Sequence, residues 1–153
     1  MKILFSLLFL CFASIQVIAQ ATVSKQFNLD DGIALEGYDP VSYFLSDKPQ
    51  KGSASITVSQ DGITYLFANQ ENKDKFVGDP EHYTPQYGGW CAYAMGYDGS
   101  KVKIDPKTFK IQDGKLYLFY NFYLNNTLKK WNKDETNLKQ DADKNWATLV
   151  ANQ

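Results

Sequence analysis

The sequence predicts an α+β fold, a small domain of β-hairpins packed with short helices and closed by two amphipathic helices at the C-terminus. Two observations predict it. Asp-Gly pairs twice separate runs rich in β-branched and aromatic residues, and beyond Asn121 the apolar residues change to helical spacing.

In the first hairpin, Ser53 to Ser59 alternates toward Ile56 and Val58, Asp61-Gly62 turns the chain, and Ile63 to Phe67 returns as a strand. An Asp-Gly pair suits this turn because both central residues of the tight hairpin turn need positive φ. Asn69 then offers a side-chain cap for a helix, with Asn72 in the capping-box position and Phe76 and Val77 near its end. Gly78-Asp79-Pro80 stops that helix. Lys101 to Ile104 and Thr108 to Gln112 read as strand, Asp113-Gly114 as turn, and Lys115 to Tyr120 as the returning strand. Leu124, Leu128 and Trp131 fall at i, i+4 and i+7, and Leu138, Ala142, Trp146 and Leu149 follow a similar spacing after a charged break at Lys133 to Glu135. Neither a repeat nor a low-complexity tract is expected.

The N-terminus reads as an export signal: Lys2 is the positive flank, Ile3 to Val17 the apolar run, and Ala19 and Ala21 the small residues of a cleavage site. The boundaries that follow are a signal peptide over 1–21, a polar lead-in over 22–34 and the domain over 35–151. Cleavage leaves 153 − 21 = 132 residues, enough for one domain with its own core. The expected location is periplasmic or secreted, with no membrane insertion after cleavage. A formal net charge of −1, and no basic stretch interleaved with aromatics, give no footprint for nucleic acid. Cys11 leaves with the signal, so Cys91 stays as a free cysteine with no intramolecular partner.

Cys91 lies in Tyr87-Gly88-Gly89-Trp90-Cys91-Ala92-Tyr93. The paired glycines allow unusual backbone angles or close approach of another segment, and Trp90 and Tyr93 flank the thiol with aromatic surface. Tyr87, Gly88, Gly89, Trp90, Cys91 and Tyr93 are therefore the candidate ligand-binding residues. As a metal site, Cys91 has only His82 and Met95 to join it, a donor set that suits copper better than structural zinc. The competing reading is that Cys91 is a small buried hydrophobe, as free cysteines often are. Asp39-Pro40 reads as a helix start, with aspartate capping and proline preset for the first position.

Gly37-Tyr38-Asp39-Pro40-Val41, Gly62 to Asn69 running on to Lys75-Phe76, Asp79-Pro80-Glu81-His82-Tyr83 and Pro85 to Tyr93 together resemble the YHS-domain family, and most closely its secreted single-domain members. The resemblance covers roughly Leu35 to Trp131. It implies metal capture by cysteines after the Asp-Pro-Val element and in the strand-to-helix turn, as in relatives attached to metal-transporting ATPases. Here Ser42, Ala68 and Asn72 stand at those positions, so that thiolate site is not carried over. The expectation is an exported YHS-like binding module for a metal ion or small ligand near Cys91. The alternatives are a thiol-dependent enzyme or redox protein using Cys91, and an envelope domain that docks a protein partner.

Overall fold

The structure is a computed structural model that describes residues 24–152, so the expected signal segment over 1–21 lies outside the described residues. The expected α+β class is what it shows. A four-stranded sheet is ordered β1-β2-β4-β3, from β1 (Leu29–Asp30), β2 (Ile33–Ala34), β3 (Ser53–Gln60) and β4 (Ile63–Phe67). Its one parallel pairing joins Ile33 to Thr64. A second hairpin pairs β5 (Asp105–Gln112) with β6 (Lys115–Phe119), and a short third pairs β7 (Asn121–Phe122) with β8 (Asn125–Asn126).

The helices are α1 (Ser42–Leu45), α2 (Gln70–Gly78), α3 (Pro80–Tyr83), α4 (Ala92–Tyr97), α5 (Thr127–Trp131) and α6 (Glu135–Ala151). Asn69 caps α2 as its sequence position implies, its side chain accepting from Asn72 N–H at 2.8 Å. β6 is buried on both faces because side chains alternate across a strand. Leu116 and Leu118 enter one core cluster with Ile63, Tyr65 and Phe67, while Tyr117 and Phe119 enter a second with Met95, Trp131 and Ala142.

Three expectations are corrected. Leu124 does not open a helix: Tyr123-Leu124 is the turn of the β7–β8 hairpin, and α5 starts only where Asn126 caps it by accepting from Lys129 N–H. Lys101 to Ile104 is not a strand, although Ile104 is buried. The polar lead-in, set ahead of a domain over 35–151, is itself part of the sheet. It carries β1 and β2 around Asp31-Gly32, a third Asp-Gly turn with both φ values positive.

The expected absence of a repeat is corrected as well. Gln60-Asp61-Gly62, Tyr65-Leu66-Phe67 and Asn69 match Gln112-Asp113-Gly114, Tyr117-Leu118-Phe119 and Asn121 at a constant spacing of 52 residues (Asp61 to Asp113). The hairpins share their register and irregularity: Ser53 pairs Phe67 and Thr57 pairs Leu66, as Asp105 pairs Phe119 and Phe109 pairs Leu118. The same spacing relates two left-handed turns, Leu35-Glu36-Gly37 (φ 58°, 51°, 77°) and Tyr87-Gly88-Gly89 (φ 54°, 60°, 79°). Each precedes a short helix, α1 in one case and α4 in the other.

Candidate functional site

Tyr87 is the pivot of the predicted motif. Its backbone is left-handed, a conformation that costs a non-glycine residue roughly 1–2 kcal/mol and persists only where surrounding contacts hold it. Those contacts are visible. Asn28 N–H donates to Gly88 O at 2.8 Å, Asn28 Nδ2 donates to Gly89 O at 3.2 Å, and the Tyr87 hydroxyl donates to Asp143 Oδ1 at 2.9 Å. Burial first, and then the Asp143 carboxylate, push the Tyr87 phenol above the usual tyrosine range, so it remains a donor. Gly88 sits where a Cβ would lie 2.9 Å from both Gln26 O and Trp146 Cη2. Only glycine lets the lead-in and α6 close on this turn.

That closure leaves a cavity of about 390 Å³ at the junction of the two repeated units. Phe27 from the lead-in, Tyr65 from β4, Tyr87 from the turn and Trp146 from α6 contribute its aromatic walls. Ile63, Pro80 and Pro85 add apolar surface, and Asp61 and Glu81 stand exposed at its edge. The volume and mixed lining are those of small-molecule sites, which favour junctions between structural units.

The rest of the motif faces elsewhere. Trp90 is half-buried, its indole N–H donating to Gln26 O at 2.6 Å. Cys91 is fully buried and Tyr93 half-buried; both border a separate groove of about 220 Å³ with Tyr97, Tyr120 and Lys130. The Cys91 Sγ accepts from Tyr120 N–H at 3.4 Å and lies 3.4 Å from Thr127 Oγ1. Because the Thr127 hydroxyl spends its proton on Tyr120 O at 2.8 Å, the thiol is the donor to Thr127. Both hydrogen-bonding roles of this sulfur are filled.

Cys91, His82 and Met95 do not assemble into a ligand set. Met95 is fully buried in the second core cluster, while Cys91 belongs to the first. His82 lies on α3, its ring 4.7 Å from that of Phe44 and 4.6 Å from that of Tyr83, beside a different cleft that includes Asp79 and Asp113. Among the described residues, no group of three or more His, Cys, Asp or Glu side chains is placed to hold a metal ion.

Ser42, Ala68 and Asn72 do come together, around Asp39. Its carboxylate is fully buried, with Oδ1 accepting from the N–H groups of Val41 (2.9 Å) and Ser42 (3.3 Å) and Oδ2 from Ala68 N–H (2.8 Å) and Asn72 Nδ2 (2.7 Å). Asp39 therefore holds the N–H groups at the entry to α1, but the helix begins at Ser42 with Val41 in the cap position, two residues later than an Asp39 cap with Pro40 as first helical residue would place it; the same carboxylate pins the start of α2.

The fold and cavity define a class: an α+β domain made of two related units, with an aromatic-walled cavity at their junction. A scan against protein-family models and searches of curated proteins and of solved structures found no match for the chain.

Sequence reading found Tyr87 and Gly88 and missed Phe27, Tyr65, Trp146, Asp61 and Glu81. Asp31-Gly32 signals that the lead-in turns back into the sheet, and inward alternation in Ile63-Thr64-Tyr65 signals a buried Tyr65. No local signal joins either to Trp146.

Proposed function

We propose that the protein is an exported, YHS-like, non-enzymatic binding module whose ligand is a small molecule held in the cavity beside Tyr87 and Gly88. The observation that carries this reading is the convergence of Phe27, Tyr65, Tyr87 and Trp146, from four separate segments, on one cavity of about 390 Å³. The strained Tyr87 backbone at its wall supports it, since such strain concentrates at ligand sites. The thiol is not the reactive centre in this reading, because Cys91 has no exposed surface and both its hydrogen-bonding roles are filled. The metal reading loses support in the same way, with Asp39 answered by four N–H donors and Cys91 apart from His82.

Native mass measurement of protein from its producing cells, followed by thermal-shift screening, tests the proposal. A retained or stabilising small molecule is expected, lost in Trp146→Ala and kept in Cys91→Ser. Rapid alkylation of native Cys91, or loss of binding in Cys91→Ser alone, would return the function to the thiol.

A second reading, a domain that docks a protein partner, is favoured by the β7–β8 tip. Tyr123 and Leu124 are 95% and 107% exposed there, and both are left-handed. Its test is whether an interaction in the producing cells disappears when this pair alone is replaced.

A further inference from the structure

Resting on the reading of the junction cavity as a ligand site, we infer that its ligand is an organic cation of alkylammonium type, held against the aromatic walls and neutralised by Asp61 and Glu81. Four aromatic side chains wall the cavity, two carboxylates stand at its edge, and no Lys or Arg lines it. Neither carboxylate forms an ion pair among the described residues, whose pairs are Lys75–Glu71, Lys110–Glu135, Lys139–Asp113 and Lys144–Asp141. The site therefore presents negative charge that no ion pair among the described residues answers.

Aromatic faces attract cations through the negative centre of the ring, most strongly when the contact is shielded from water. Tyr65 and Tyr87 are each only 3% exposed, so the ring faces within reach of a ligand are those of the half-buried Phe27 and Trp146. A carboxylate ligand would meet Asp61 and Glu81 as like charges. A neutral ligand would use the rings and leave both charges unanswered.

The turn of the first hairpin is what brings Asp61 here. The equivalent turn in the second unit has its carboxylate, Asp113, engaged by Lys139 at 3.0 Å. The two units therefore differ at this position in a way that matters chemically: one turn acid is paired within the protein, and the other faces the cavity free of an ion pair.

The test is calorimetric titration of the full exported chain with three probes: choline, its uncharged isostere 3,3-dimethylbutan-1-ol, and glucose. Saturable choline binding is expected, with the isostere at least about ten-fold weaker. The double variant Asp61→Asn, Glu81→Gln should erase most of that difference while the thermal midpoint stays unchanged. Asparagine tolerates the left-handed backbone at position 61, and both side chains are exposed. Equal or tighter binding of the isostere, or binding of glucose alone, overturns the cationic class and leaves the cavity a ligand site. Choline binding that the double variant leaves intact overturns the role of the two carboxylates. No binding of any probe overturns the cationic class, and the cavity reading then falls as well if the native-mass and thermal-shift measurements are also blank.

Discussion

Asp39 and Cys91 occupy the same position in the two halves of the chain. Each backbone N–H donates at 2.9 Å to a carbonyl, that of Gln50 for Asp39 and of Val102 for Cys91. Each side chain then accepts from the N–H that follows the hairpin, that of Ala68 for Asp39 and of Tyr120 for Cys91. The spacing is again 52 residues in all three cases (39 to 91, 50 to 102, 68 to 120). One backbone frame has been fitted with two chemistries, a carboxylate that gathers four donors and a thiol that needs one donor and one acceptor.

The carboxylate is the more demanding of the two. In Asp39→Asn an amide N–H₂ replaces one acceptor oxygen and meets N–H groups from Val41 and Ser42, or from Ala68 and Asn72. Stability should fall by about 3 kcal/mol, measured as the shift in urea midpoint at constant slope. Cys91→Ser, which keeps a donor and an acceptor, should cost about 1–2 kcal/mol. A smaller loss in Asp39→Asn than in Cys91→Ser would contradict this account of the two sites.

Gly88 separates backbone strain from steric closure. Gly88→Ala adds a Cβ 2.9 Å from Gln26 O and Trp146 Cη2 to a residue at φ +60°, whereas Gly32→Ala, at φ +78°, meets nothing within 4 Å. Gly32→Ala should cost about 1 kcal/mol from conformation alone, and Gly88→Ala at least about twice that because the lead-in or α6 must move. Ligand uptake should fall in Gly88→Ala only. Thermal melts and a binding titration on the pair check both statements.

The hairpins and the class of fold were legible because their signals are local: Asp61-Gly62 and Asp113-Gly114 fix turns, and alternation fixes which residues point inward. The repeat was harder to see, since identity is concentrated around those turns, with Gly37 and Gly89 among the few matches elsewhere, while Leu35 corresponds to Tyr87 and Asp39 to Cys91. Position 124 was misread because an apolar residue at helical spacing is indistinguishable in sequence from one at an exposed turn. The site was half legible. Tyr87 and Gly88 carry their own peculiarity, but Phe27 and Trp146 join them only through tertiary closure at Gly88, a contact no window of sequence contains.

Glu135 gives stability a dependence on acid. Burial opposes its ionisation, but hydrogen bonds from Lys110 Nζ (2.6 Å) and Trp131 Nε1 (2.8 Å) outweigh that and hold its carboxyl below the usual glutamate range. A carboxyl with a lowered folded pKa binds its proton more readily when unfolded. Its stabilisation is therefore complete above the unfolded value, about 4.3, and is lost as pH falls through the folded one. Glu135→Gln should be less stable than the parent at pH 7 and should narrow that gap toward pH 3. Urea midpoints at the two pH values read this directly, and a constant gap would remove Glu135 from the acid response.

The β7–β8 tip makes the reverse prediction, that a substitution will stabilise. Tyr123 and Leu124 occupy a two-residue turn at φ 52° and 63°, angles that Asn-Gly adopts readily and that β-carbon crowding disfavours in tyrosine and leucine. Both side chains are fully exposed, so replacing them loses little burial. Tyr123→Asn with Leu124→Gly should therefore raise stability by about 1–2 kcal/mol, seen as a higher thermal midpoint, and should leave small-molecule binding at the junction cavity unchanged. A protein that carries strain and exposes apolar side chains at the same two residues keeps them at a cost to its own stability, which fits contact with another molecule. If the double variant is destabilised instead, the tip packs against the domain, and the docking reading loses the observation that favoured it.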